Sequence, residues 1–126
     1  MISQYAEHDK IYIRDLLLRC IIGINEEERH NKQDVIINIT LFTDLAGPCK
    51  SDNIDEAVDY KTIKLEIIKL VENSSYNLLE KLTEEIAALC LQNKKVAKVK
   101  VSVDKPAALR FARSVAVEIT RYNKNA

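Results

Sequence analysis

One lysine in this sequence stands where a strand pattern meets possible chemistry. The stretch Val96-Ala-Lys-Val-Lys-Val-Ser-Val-Asp-Lys105-Pro106 alternates apolar and polar residues with period two, as a half-buried strand does. Ala97, Val99, Val101 and Val103 share one parity, and Lys105 is the next residue on it. An ammonium there is directed toward the face that the valines bury, and Pro106 is expected to stop the ladder. Two readings are open. The lysine snorkels to water, as strand-end lysines commonly do, or it is an amine held partly desolvated at a pocket wall and suited to proton transfer.

The rest of the inventory narrows the chemistry. His8 and His30 are the two histidines, and no cysteine cluster accompanies them, so a His-rich catalytic zinc site is excluded. No GxGxxG or GxxxxGK[ST] occurs, which argues against Rossmann and P-loop nucleotide sites. A Ser-His-Asp triad would have to draw on histidines in polar segments. Cys20, Cys49 and Cys90 are far apart without CxxC spacing. Cys20 and Cys90 fall in apolar patterns and read as inert core thiols, and Cys49 lies in a polar stretch. What remains is carboxylates, one tyrosine at a helix start (Tyr60) and Lys105, a kit that suits metal-free proton transfer better than nucleophilic or metal chemistry.

The elements that must position this kit follow from periodicity. Ile11 to Ile24 is a long strand whose apolar parity changes from Ile11 and Ile13 to Leu16, Leu18, Cys20 and Ile22, the signature of a β-bulge near Asp15. The polar run from Asn25 to Lys32 makes a loop with room for a helical turn, and Val35, Ile37, Ile39 and Leu41 alternate through a second strand. Residues 45–53 are rich in turn formers and read as a loop. Asp59 is placed to cap a helix from Tyr60 to Glu72, with Ile63, Ile67, Leu70 and Val71 at helical spacing. A second helix is expected from Asn77 to Leu91, with Asn77 and Glu80 spaced as a capping box. After the Lys105 strand, residues 107–113 form a loop before a last strand carrying Val115, Val117 and Ile119.

The order is therefore ββααββ, one α+β domain over residues 1–126, with both helices on one face of an antiparallel sheet. Two long edge strands invite edge-to-edge closure of several copies into a ring. Hydrophobic content of 47% against 30% charged excludes a disordered chain. With 19 basic and 19 acidic residues there is no electrostatic footprint for nucleic acid or an anionic membrane. No apolar run spans a bilayer and the first ten residues lack signal-peptide order, so the expected location is cytoplasmic.

Four stretches, Gly23-Ile-Asn-Glu-Glu-Glu28, Ala57-Val-Asp-Tyr60, Asn77-Leu-Leu-Glu80 and Val103-Asp-Lys105-Pro106, together resemble the dihydroneopterin aldolase family, over residues 10 to 121. The resemblance implies the tunnelling fold, in which ββααββ subunits close into tetrameric barrels that commonly stack as octamers, with the active site at a subunit interface. It is similar above all to the branch that epimerises dihydroneopterin triphosphate at C2′. Ile22 stands where aldolases usually have a histidine, and Ala108-Leu-Arg-Phe-Ala-Arg113 stands where they usually carry a proline-rich loop ending in Pro-Gly-His.

The resemblance also implies roles. Lys105 is the catalytic lysine, Tyr60 stacks on or contacts the pterin, in one arrangement from a neighbouring subunit, and Glu28 lies near the substrate side chain. Glu80 accepts from the pterin 2-amino group and N3–H, unless it only closes its own helix cap, and Leu79 and Val58 line the pocket. Arg110 and Arg113 are candidates for the triphosphate, with Arg29 and Lys32 behind them. The reaction implied is a retro-aldol cleavage with no cofactor and no metal. It ends in C2′ epimerisation or, as the alternative, in the aldolase products hydroxymethyl-dihydropterin and glycolaldehyde. A pterin- or purine-binding module without turnover is the reading from another class.

Overall fold

The computed structural model describes residues 9–106 and 108–124. The signal-peptide reading of the N-terminus and the histidine at position 8 lie outside those residues, as does the first residue of the loop after Pro106. Four strands, β1 (Lys10–Cys20), β2 (Gln33–Phe42), β3 (Lys98–Pro106) and β4 (Ser114–Tyr122), form one antiparallel sheet in the order β1-β2-β3-β4. Helices α3 (Tyr60–Glu72) and α4 (Leu79–Cys90) lie on one face, α4 over β3 and β4 and α3 beside it over β1. This is the expected ββααββ arrangement.

Period-two alternation decides which side chains meet the helices. Val35, Ile37, Ile39 and Leu41 of β2 and Val99, Val101 and Val103 of β3 are buried against Ile63, Ile67 and Val71 of α3 and Leu79, Leu82, Ile86 and Cys90 of α4. Burial of each large aliphatic side chain contributes about 1.5–3 kcal/mol. Helices of this length gain far more from that seam than from propensity. The Asp59 side chain caps α3 by accepting from the Thr62 N–H at 3.1 Å and the Thr62 hydroxyl at 2.8 Å, which holds its carboxyl below the ordinary aspartate value.

The bulge lies where the phase change puts it. Ile13 faces Ile39 and Leu16 faces Ile37, so Arg14 and Asp15 together oppose Asn38. Asp15 has φ +54° and donates its N–H to Asn38 Oδ1 at 2.9 Å. The extra residue returns Leu18 and Cys20 to the buried face after an outward step.

Two local expectations are corrected. Residues 45–53 contain a short helix, α2 (Ala46–Ser51), because Pro48 falls in its first turn, where a missing N–H costs nothing. Helix α4 begins at Leu79, not Asn77, and has no side-chain cap, so Glu80 sits at its second position and closes no capping box. Pro106 ends β3 as expected: it is the last rung against β4, opposite Ser114, two residues past Asp104, where the pairing with β2 stops. The polar run after Gly23 does include a helical turn, α1 (Glu26–His30).

Candidate active site

The buried stripe of β3 ends in Lys105, whose side chain is 12% exposed, and its ammonium donates to Glu28 Oε2. Glu28 is the third residue of α1, on the turn that joins β1 to β2. Its carboxylate also accepts from the Asn25 N–H at 3.2 Å and from Gln33 Nε2 at 3.3 Å. The Lys105 ammonium foremost, with those two donors, holds the Glu28 carboxyl below its ordinary range. The two side chains form a charge-assisted pair, both largely screened from water.

Gln33 was missed in the sequence, although the same signal marks it. It opens the buried parity of β2 that runs through Val35 and Ile37, as Lys105 closes that of β3. A polar residue at the end of an apolar stripe is what both share. Its amide donates to the Ile22 carbonyl at 2.8 Å as well as to Glu28, so it fixes the carboxylate to the end of β1. Gly23 makes room for the same group. It has φ +124°, and a Cβ built there would strike the Glu28 carboxylate.

Glu80 is exposed in the first turn of α4, and its carboxylate makes no hydrogen bond or ion pair among the described residues. The segment leading to it is tied to the Glu28 turn: the Gly23 N–H donates to the Tyr76 carbonyl at 3.3 Å. Arg29 directs its guanidinium to the carbonyls of Gly23, Ser75 and Tyr76, so the structure gives it a task other than the phosphate role considered above. Leu79 is buried beside Glu80. Glu28, Gln33, Lys105, Leu79 and Glu80 thus gather around one end of the sheet.

Tyr60 and Val58 are at the other end. With Pro48, Ile54, Ala57 and Asp59 they border a hollow of about 430 Å³ that contains none of the residues just named. Tyr60 is exposed and opens α3, whose 13 residues carry the chain roughly 18 Å before it reaches Ser75 and Tyr76. Lys95, just before β3, holds the Tyr60 segment by donating to the carbonyls of Asp55 at 2.6 Å and Ala57 at 3.0 Å. Lys105 is at the far end of that strand, roughly 25 Å away along β3. Within one chain Tyr60 and Val58 therefore lie far from Lys105 and Glu28.

Residues 108–113 are exposed. Arg110 stacks on the Phe111 ring at 5.2 Å, and Phe111 itself has φ +67°. Arg113 borders a hollow of about 320 Å³ with Asp15, Asn38, Asp104 and Ser114. Burial pushes up the Cys20 thiol, and the Cys90 thiol to about 12, while Cys49 is exposed on α2. Among the described residues, no three His, Cys, Asp or Glu side chains are grouped to hold a metal ion, and no helix is long and apolar enough to cross a membrane.

Residues 11–120 match the family model of FolB, dihydroneopterin aldolase. The chain belongs to the dihydroneopterin aldolase family. Over 110 residues it is 46% identical to the dihydroneopterin triphosphate 2′-epimerase of Pseudomonas aeruginosa, covering 87% of this chain and 89% of that protein. The corresponding Escherichia coli K12 epimerase is 39% identical over 110 residues, 87% of this chain and 92% of that protein. Among solved structures, Escherichia coli dihydroneopterin aldolase in complex with neopterin superposes with a TM-score of 0.86 at 28% identity, covering 90% of this chain and 98% of that one. The four-stranded sheet with its two helices is thus the tunnelling fold of dihydroneopterin aldolases, and relatives of this chain in the family carry epimerase as well as aldolase names.

Proposed function

We propose that this chain is a pterin retro-aldol enzyme whose main reaction is C2′ epimerisation of dihydroneopterin triphosphate, carried out in the cytoplasm. The observation that carries the reading is the Glu28–Lys105 ion pair, a proton-handling couple at the end of an apolar stripe. The epimerase names of the two curated relatives support the choice within the family.

Glu80, exposed at the start of α4, anchors the pterin through its 2-amino group and N3–H, two parallel donors suited to a carboxylate. Leu79 and Val58 line the ring pocket and Tyr60 lies against the ring. A water held by Lys105 and Tyr60 takes the proton of the C2′ hydroxyl, with Glu28 fixing the lysine. The C2′–O bond becomes a carbonyl as the C1′–C2′ bond breaks, and that electron pair moves into the ring as N5 takes a proton. The substrate's own C6=N5 bond is the electron sink, so no cofactor is required. Rotation of the retained aldehyde and re-addition to C1′ gives the epimer. Protonation at C1′ with release of the aldehyde gives the aldolase products instead. Arg110 and Arg113 receive the triphosphate.

Tyr60 and Lys105 meet in this scheme only between two copies of the chain, as they would where β1 of one copy pairs with β4 of the next in a closed tetramer, alone or stacked as an octamer. Incubation with dihydroneopterin and separately with its triphosphate, followed by chromatography, tests the reading. A monapterin-type product without cleavage is expected from the triphosphate. Hydroxymethyl-dihydropterin and glycolaldehyde as the main products would move the assignment to the aldolase. Pterin binding with no product, unchanged by Lys105→Ala, would leave only a binding module.

A further inference from the structure

Arg29 follows Glu28 in α1. One terminal nitrogen donates to the carbonyls of Gly23 and Tyr76, both at 3.1 Å, and the other to the carbonyl of Ser75 at 2.6 Å. One guanidinium thereby joins two irregular segments far apart in sequence: the turn that delivers Glu28 and the turn that delivers Leu79 and Glu80. The Gly23 N–H also donates to the Tyr76 carbonyl, at 3.3 Å. The start of α4 has no side-chain cap, so the place of Glu80 depends on how the residues before it are held.

We infer that Arg29 is a positioning residue that sets the distance between the substrate-anchoring carboxylate of Glu80 and the Glu28–Lys105 pair. The inference rests on the pterin reading above. Three carbonyl oxygens on two segments require a planar fork with several N–H groups, which an ammonium cannot supply in the same geometry. A displacement of the anchor by about 1 Å carries the reacting C2′ out of line with the proton-handling pair, a change that costs on the order of 100-fold in rate. The pterin ring still finds Glu80, so affinity changes much less.

The experiment compares wild type, Arg29→Ala, Arg29→Lys and Lys105→Ala in turnover of dihydroneopterin triphosphate and in pterin affinity. Arg29→Ala is expected to lower kcat roughly 10- to 100-fold with affinity within a few-fold. Added guanidinium chloride at tens of millimolar, too dilute to denature, should restore part of kcat where sodium chloride does not, and Arg29→Lys should remain impaired. Should Arg29→Ala fail to fold, Arg29→Gln, which keeps a donor for one carbonyl, takes its place in the rescue assay. Wild-type kcat in Arg29→Ala, or a loss that guanidinium leaves untouched, overturns the inference. Activity in wild type that survives Lys105→Ala overturns the underlying reading instead, and the two failures are told apart in one data set.

Discussion

The Lys105 ammonium donates to Glu28 Oε2, joining the penultimate residue of β3 to the third residue of α1 across 77 positions of sequence. This link has a pH signature. The folded state holds the Glu28 carboxyl below its ordinary value of 4.5, so the pair contributes stability that is complete above that value and lost as pH falls through the lower folded one. Denaturant titrations of wild type and Glu28→Gln should therefore differ by a constant amount near neutrality, and the difference should shrink in acid below the ordinary value. A difference independent of pH would show that the pair is not ionised in the folded protein.

Gln33 ties Glu28 to the Ile22 carbonyl. Gln33→Ala leaves that part-buried carbonyl unpaired, at a cost of about 1–3 kcal/mol, and lets the carboxylate swing away from Lys105. Both a lower denaturation midpoint and a lower kcat are expected. A stable variant with full activity would remove Gln33 from the site.

Gly23 combines a φ of +124° with a Cβ position that the Glu28 carboxylate occupies. Gly23→Ala should cost about 1–3 kcal/mol from backbone strain, with the collision in addition. Gly23→Ala combined with Glu28→Ala removes the collision and keeps the strain. Stability of the double variant should therefore be lost by less than the two single losses together. Strict additivity would mean that the carboxylate does not occupy that space.

Arg110 and Arg113 stand on the loop that follows Lys105, and Arg113 borders its hollow beside Asp15 and Asp104. Replacement of both by Ala is expected to raise KM for the triphosphate at least about tenfold while leaving the unphosphorylated pterin within twofold, since each phosphate-directed fork contributes charge-assisted bonds. Equal effects on the two substrates would place the phosphate elsewhere.

The faces of the sheet were legible because side-chain period two converts directly into burial. The bulge at Asp15 was legible for the same reason, since one extra residue leaves a visible change of parity. Lys105 could be singled out as the polar end of an apolar stripe, and Gln33 carried the same mark but was hidden behind the charged run that precedes it. The start of α4 was misread because Asn77 and Glu80 have capping spacing, whereas the backbone there is held by Arg29 through Ser75 and Tyr76, a contact across 46 and 47 positions that no local rule contains. The separation of Tyr60 from Lys105 was equally hidden, since motif order along a chain says nothing of which end of the sheet each motif reaches.

That separation has a consequence for mixed populations of chains. Tyr60 and Lys105 lie at opposite ends of a subunit, and the shared site proposed above would need one sound end from each of two neighbours. Two inactive parents, Tyr60→Ala and Lys105→Ala, unfolded together and allowed to reassemble at equal amounts, would regenerate about a quarter of the wild-type sites by random pairing around a closed ring. By the same count, one defective allele expressed beside a sound one would disable half of the sites, not more, so the assembly should tolerate heterogeneity in proportion to dose.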